Sequence, residues 1–214
     1  MQIAVLLFDR FTALDAVGPY EVLAHLPGAQ VVFVGYRPGP VRTEVGSLAL
    51  TADAALSEVD NPDVVVVVPG GPGQRHHMGD GPIRDWLRAV DTTSTWTASV
   101  CTGSLLLAAA GLLAGRRATT HWLAHDQLAP LGAVPVAQRV VTDGKYITAA
   151  GVSAGLDMAF TLAGRIAGDA VAQAIQLAHE YDPQPPYQAG SPERAPREVL
   201  AAVRGRKDFI LTRG

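Results

Sequence analysis

A chain of 214 residues is long enough for one domain with a sizeable core and short for two. Its 48% hydrophobic and 17% charged residues exclude a disordered or coiled-coil protein and suit a buried sheet covered by helices. A net charge of -3 gives no electrostatic reason for a nucleic-acid or anionic-membrane partner, so neither is expected and a small molecule is.

The N-terminus reads Met1-Gln2-Ile3-Ala4-Val5-Leu6-Leu7-Phe8, with no basic lead-in. Its apolar run is too short for a signal peptide or a membrane span, so the expected compartment is the cytoplasm. The run predicts a first strand over residues 3–8, followed by a helix over 19–25 and a second strand over 31–36. Turn signals inside residues 41–51 make that segment look antiparallel. The five valines at 64–68 lack polar alternation, as a strand buried on both faces should. A helix over 82–90, a strand over 97–100 and helices over 102–113 and 122–128 come next. Asp143-Gly144 divides two β-rich arms within 138–148, the pattern of a hairpin. Helices are expected over 154–167 and 170–181. Asp182-Pro183-Gln184-Pro185-Pro186-Tyr187 cannot continue a helix, and a basic stretch with one short helix at 197–203 closes the chain.

This alternation predicts an α/β three-layer sandwich, with a mostly parallel central sheet and helices on both faces. The predicted units are a catalytic domain over 1–182 and a Pro-rich, basic arm over 183–214 that belongs to it.

A single cysteine, Cys101, cannot form an internal disulfide. It stands between a predicted strand and Thr102-Gly103-Ser104, which lead into a helix. That is the strand–sharp turn–helix order of a nucleophile elbow, with cysteine in place of serine. A thiol at a helix N-terminus faces unpaired N–H groups and the positive end of the macrodipole, so its pKa is expected to fall toward neutrality or below. The Thr102 amide is placed to donate to developing negative charge. The opposing reading is a small buried hydrophobe, the common fate of a free cysteine.

Pro69-Gly70-Gly71-Pro72-Gly73 follows the valine strand, where an open parallel sheet places its ligands. Gly71 is the candidate second oxyanion donor, with Gly70 and Pro72 lining the substrate site; a tight structural turn is the alternative. Asp15, after the first strand, reads either as a helix N-cap or as an acid whose pKa rises beside the thiol so that it can deliver a proton. His121, 20 residues after Cys101, is either a partner of the thiol or a buried residue in a hydrogen-bonded turn. His121 and His125 have a metal-like spacing without further ligands, so no metal is expected. His76 and His77 read as loop, and His25 and His179 as helix surface.

The run Ser99-Val-Cys-Thr-Gly-Ser-Leu-Leu-Leu-Ala-Ala-Ala-Gly-Leu-Leu113 and Arg116-Arg-Ala-Thr-Thr-His-Trp122 resemble the ThiJ/PfpI superfamily. The Pro-Gly-Gly loop, Gly151-Val152-Ser153-Ala-Gly-Leu-Asp157 and the segment from Glu180 to Pro192 extend the likeness over nearly the whole chain. The resemblance implies the flavodoxin-like fold of class I glutamine amidotransferase-like proteins and a homodimer. The branch it is most similar to is isonitrile hydratase, which adds water to R–N≡C to give an N-substituted formamide without a cofactor. On that resemblance Cys101 is the nucleophile forming a thioimidate and Asp15 the acid that handles protons. Thr102 is then the residue following the cysteine, and His121 and Val152 are accessory candidates. Many superfamily members carry His directly after the cysteine; Thr102 stands there instead, which argues against a protease-like reading. The cysteine-to-Trp122 stretch is also similar to the N-terminal domain of AraC-type regulators, whose DNA-binding domain does not fit in the 33 residues after Tyr181. A glyoxalase-like activity and a ligand or redox sensor therefore remain as alternatives.

Overall fold

The computed structural model describes residues 1–60 and 65–207. Strand β1 (Gln2–Leu6) is followed by helix α1 (Ala13–Leu23) and by β2 (Gln30–Gly35). An antiparallel ribbon, β3 (Gly39–Arg42) with β4 (Ala49–Ala52), stands apart from the main sheet, and the two-residue β5 (Ala54–Ala55) pairs with β2. Then come β6 (Val65–Val68), α2 (Pro82–Asp91), β7 (Trp96–Val100) and α3 (Gly103–Ala109). A short parallel pair, β8 (Arg117–Ala118) with β9 (Val134–Pro135), precedes the hairpin of β10 (Val140–Asp143) and β11 (Tyr146–Ala149). Helices α4 (Ala154–Ala167), α5 (Asp169–Ala178) and α6 (Arg197–Arg204) complete the chain.

The seven-stranded sheet runs β10-β11-β7-β6-β1-β2-β5, and every pairing is parallel except β10 with β11. Helices α1 and α4 pack together on one face, with α5 outside α4, while α3 packs on β6 and β7 and against α2. The sandwich expected from the alternation is thus present. Ile3, Ala4 and Val5 of β1 and Val66, Val67 and Val68 of β6 have no exposed surface, which is why neither strand shows polar alternation. The valine run is interior as expected; Val64 lies outside the described residues. Chain order reverses between β1 and β6, so the loops leaving those two strands part and open a crevice at the carboxyl edge.

Several helix boundaries differ from the sequence reading. Helix α1 begins at Ala13, six residues before the expected start, and carries Pro19 inside it. Pro19 favours an N-terminal position but costs only the bond to the Asp15 carbonyl, and burial of Ala16, Val22 and Leu23 holds the helix together. Helix α3 ends at Ala109 rather than Leu113. Gly111 turns left-handed at φ 84, with Leu112 N–H bonded to Leu107 O and Gly111 N–H to Ala108 O. The expected helix over 122–128 is a 3-10 turn, Trp122–Gln127, capped by His121. Helix α5 stops three residues early, where Glu180 adopts φ 47. Near the end of the described residues, Lys207 Nζ lies 3.1 Å from Asp126 and the Arg204 guanidinium lies over the Trp122 ring.

The start of α3 lies directly on the end of β6. A Cβ at Gly103 would overlap the Val68 carbonyl oxygen and sit 2.8 Å from that of Pro69, both fixed backbone atoms. Gly103→Ala is therefore expected to destabilise the fold by about 3 kcal/mol, the usual scale of overpacking that backbone cannot relieve. Urea denaturation of the variant beside the wild type measures it, and a midpoint within error of wild type would contradict this close packing.

Candidate active site

The carboxyl ends of β1, β6, β7 and β11 converge on one sulfur atom. Cys101 follows β7 at φ 57. Its N–H lies between the carbonyls of Ala149 and Ala150 at 3.2 and 2.9 Å, and its own carbonyl accepts the hydroxyls of Thr120 at 2.9 Å and Ser104 at 3.3 Å. A left-handed residue with a side chain costs on the order of 1–3 kcal/mol and persists only when its surroundings over-determine it. The adjacent strand end repeats the feature: Val152, β-branched, sits at φ 29 just before α4. The backbone amides of Val152 and Thr102 stand close enough to the Cys101 sulfur to favour its ionised form.

Asp15 belongs to the first turn of α1 and has no exposed surface, so it is not the N-cap that the sequence allowed; Thr12 holds that place. Its Oδ2 accepts the Gly70 amide at 2.9 Å. The other oxygen, Oδ1, is buried without a hydrogen-bond partner of the ordinary N–H or O–H kind, and the thiol of Cys101 is the side-chain group that interacts with the carboxyl. Burial outweighs the Gly70 bond and pushes Asp15 from 3.8 up to about 7, with Glu44 adding to the rise.

The same burial overturns the expectation of an acidic thiol. Cys101 is 5% exposed, and desolvation with the neighbouring Asp15 charge holds its pKa well above 9.0 despite the Val152 and Thr102 amides. Burial therefore favours the protonated form of Cys101.

The Gly71 amide also differs from expectation. It donates to Thr102 Oγ1 at 3.0 Å, which ties the glycine loop to the elbow rather than presenting a donor to the sulfur. Gly71 holds φ 127, and a Cβ there would lie 2.6 Å from the Thr12 nitrogen, so the loop passes closely over the β1 connection. The donor opposite Thr102 is the Val152 amide, a backbone group that nothing in the side-chain pattern advertises.

A cavity of about 100 Å³ opens above the sulfur, lined by Thr12, Glu44, Gly71, Pro72, Cys101, Thr102, His121 and Val152. That is room for about three waters at bulk density. Gly70 stays behind the loop, its amide on Asp15. His121 Nδ1 accepts the Leu123 amide at 3.3 Å, leaving Nε2 as the N–H of the neutral ring, and burial lowers its pKa from 6.5. His76, His77, His25, His125 and His179 do not line this cavity. Thr12 and Glu44 were missed by sequence reasoning. Thr12 follows the first strand in the same loop edge as Asp15, a usable signal. Glu44 arrives through a β-bridge between Phe11 and Thr43, with its N–H on the Phe11 carbonyl at 2.9 Å. No local pattern announces that contact.

The model of the DJ-1/PfpI family matches residues 1–164, and the chain belongs to this family. It is 46% identical over 206 residues to an isonitrile hydratase from Pseudomonas putida, covering 96% of this chain and 90% of that protein. A ThiJ/PfpI family protein from Pseudomonas syringae superposes with a TM-score of 0.94 at 36% identity, over 98% of this chain and 87% of that one. The HTH-type transcriptional regulator CdhR from Pseudomonas aeruginosa is 33% identical over 145 residues, 67% of this chain and 42% of the regulator.

The raised carboxyl has a consequence for stability. Folding takes up a proton on Asp15 between the unfolded value near 3.8 and about 7, so stability falls as pH rises across that window and the loss is complete above it. Asn carries no charge to bury. The Tm of Asp15→Asn relative to wild type is therefore expected to be several degrees more favourable at pH 8 than at pH 4. Thermal melts at the two values check this, and a pH-independent difference would contradict a buried, elevated carboxyl.

Proposed function

We propose that this member of the DJ-1/PfpI family is an isonitrile hydratase, converting R–N≡C and water to R–NH–CHO at Cys101. The observation that carries the substrate is the 46% identity to the Pseudomonas putida isonitrile hydratase over 96% of the chain. The glyoxalase-like and sensor readings have no comparable support.

The site geometry supports a division of labour between two groups. Cys101 starts as a thiol, so the nucleophile forms as attack occurs. Ionised Asp15 accepts the thiol proton while the sulfur bonds to the terminal isonitrile carbon, which gains electron density as the C≡N bond order drops. Asp15 then returns that proton to the carbon, giving the thioimidate R–N=CH–S–Cys101. Water adds to this carbon as Asp15 takes a proton from the water and passes it to the imine nitrogen, giving R–NH–CH(OH)–S–Cys101. Collapse of the tetrahedral adduct expels sulfur, stabilised by the Val152 and Thr102 amides, while Asp15 carries the hydroxyl proton to it, which releases the formamide and restores the thiol. A carboxyl near pH 7 is suited to both halves, because acceptance and donation are then nearly balanced. The small cavity admits the linear isonitrile head and leaves R toward its mouth. Thr102 Oγ1, holding the Gly71 amide, keeps the loop over the sulfur, and His121 offers Nε2–H to the cavity.

The compartment expected from the N-terminal sequence is the cytoplasm, and the family resemblance implies a homodimer, for which light scattering at twice 22.4 kDa is the expected result and monomer mass at micromolar concentration would reject it.

Cys101→Ala is expected to abolish hydration of a simple isonitrile, with the fold retained, because no second thiol exists. Asp15→Asn should lose about two to four orders of magnitude in kcat, the usual worth of acid–base catalysis. In the wild type, kcat/KM should rise as pH increases through about 7, where Asp15 ionises and can accept the thiol proton. Formamide production followed across pH decides: near-normal turnover by Asp15→Asn removes the role given to Asp15, and turnover by Cys101→Ala removes the nucleophile.

A further inference from the structure

Of the eight residues lining the cavity over Cys101, Glu44 carries the fixed charge. Neither lysine nor arginine is among them, and burial keeps His121 toward its neutral form. Glu44 is not on a free-swinging loop. Its amide is bonded to the Phe11 carbonyl at 2.9 Å, and its neighbour Thr43 is 3% exposed. Thr43 is itself held twice by the Leu48 carbonyl, through its amide at 3.0 Å and its hydroxyl at 3.1 Å. The Thr12 amide is anchored in turn on the Gly70 carbonyl at 2.9 Å, so this wall of the cavity is bonded to the glycine loop opposite. Glu44 also acts electrostatically on both Asp15 and Cys101, which places its charge within reach of anything bound at the sulfur.

We infer that Glu44 is a specificity-determining residue that restricts the site to isonitriles with uncharged or cationic R groups and turns away those carrying a carboxylate near the reacting head. The inference rests on the isonitrile reading of this site. An isonitrile bonded through its terminal carbon to the sulfur must point R away from Cys101 toward the mouth, so a carboxylate on the first carbon of R would enter a cavity whose lining supplies no cation to receive it. Two negative charges sharing a cavity this small, in partly solvated surroundings, repel enough to change binding about tenfold.

The test compares methyl isocyanoacetate with isocyanoacetate, which share the reacting head and differ in charge. Wild type should favour the ester in kcat/KM, and Glu44→Gln should shrink that ester-to-acid ratio about tenfold, while Glu44→Asp keeps it. Because the ratio is taken within each variant, any general effect of the change on Asp15 cancels. An unchanged ratio in Glu44→Gln overturns the inference. A second readout does not depend on the isonitrile reading: the rates at which iodoacetamide and iodoacetate alkylate Cys101, each normalised to free cysteine. The amide should be preferred in wild type, with the preference shrinking in Glu44→Gln. If wild type hydrates neither isonitrile yet shows this alkylation preference, the charge filter stands and the substrate reading falls. Absence of the preference removes the filter itself.

Discussion

Cys101 sits at φ 57, where a residue with a side chain crowds its own backbone, and its surroundings are arranged to keep it there. The amide is captured by two carbonyls from the end of β11, and the carbonyl by two hydroxyls, one from α3 and one from the loop after β8. Release from this turn would swing the sulfur away from the Val152 and Thr102 amides, which depend on the same junction. The buried hydroxyls of Ser104 and Thr120, polar groups in an apolar region, are explained by this one carbonyl.

Burial, rather than the helix dipole, governs the chemistry that follows. A thiol in the interior loses more from desolvation when ionised than two amides return, so Cys101 stays protonated until a base takes its proton. The same desolvation makes Asp15 basic enough to do so. The pair thus works by sharing one proton, held by the thiol at rest and taken by the ionised carboxylate as the sulfur attacks.

Much of the frame was legible in the sequence, because it depends on local pattern. The valines of β6, the Asp143-Gly144 hairpin and the strand-to-helix junction at Cys101 each have residue types that permit few other structures. The parts that could not be read depend on contacts distant along the chain. Pro19 signals a helix start by itself, and only packing reveals α1 running through it, which moves Asp15 from cap to buried acid. The thiol pKa follows from how deeply the elbow is covered, which composition does not encode. Val152 resembles an ordinary apolar residue until its backbone is seen, and Glu44 an ordinary surface acid until the Phe11–Thr43 bridge brings it to the cavity.

The bonds that define the site span long stretches of chain. Asp15 and Gly70 are 55 positions apart, Gly71 and Thr102 are 31 apart, and Val152 reaches a sulfur about a quarter of the chain away. Parallel pairing of this kind forms late, since loop closure must be met before any contact rewards it. A chain emerging during synthesis therefore passes through Cys101 long before the donor amide of Val152 exists. Until β11 docks beside β7, the cysteine is an ordinary exposed thiol with no carboxyl fixed against it. Functional competence is thus a property of the finished topology.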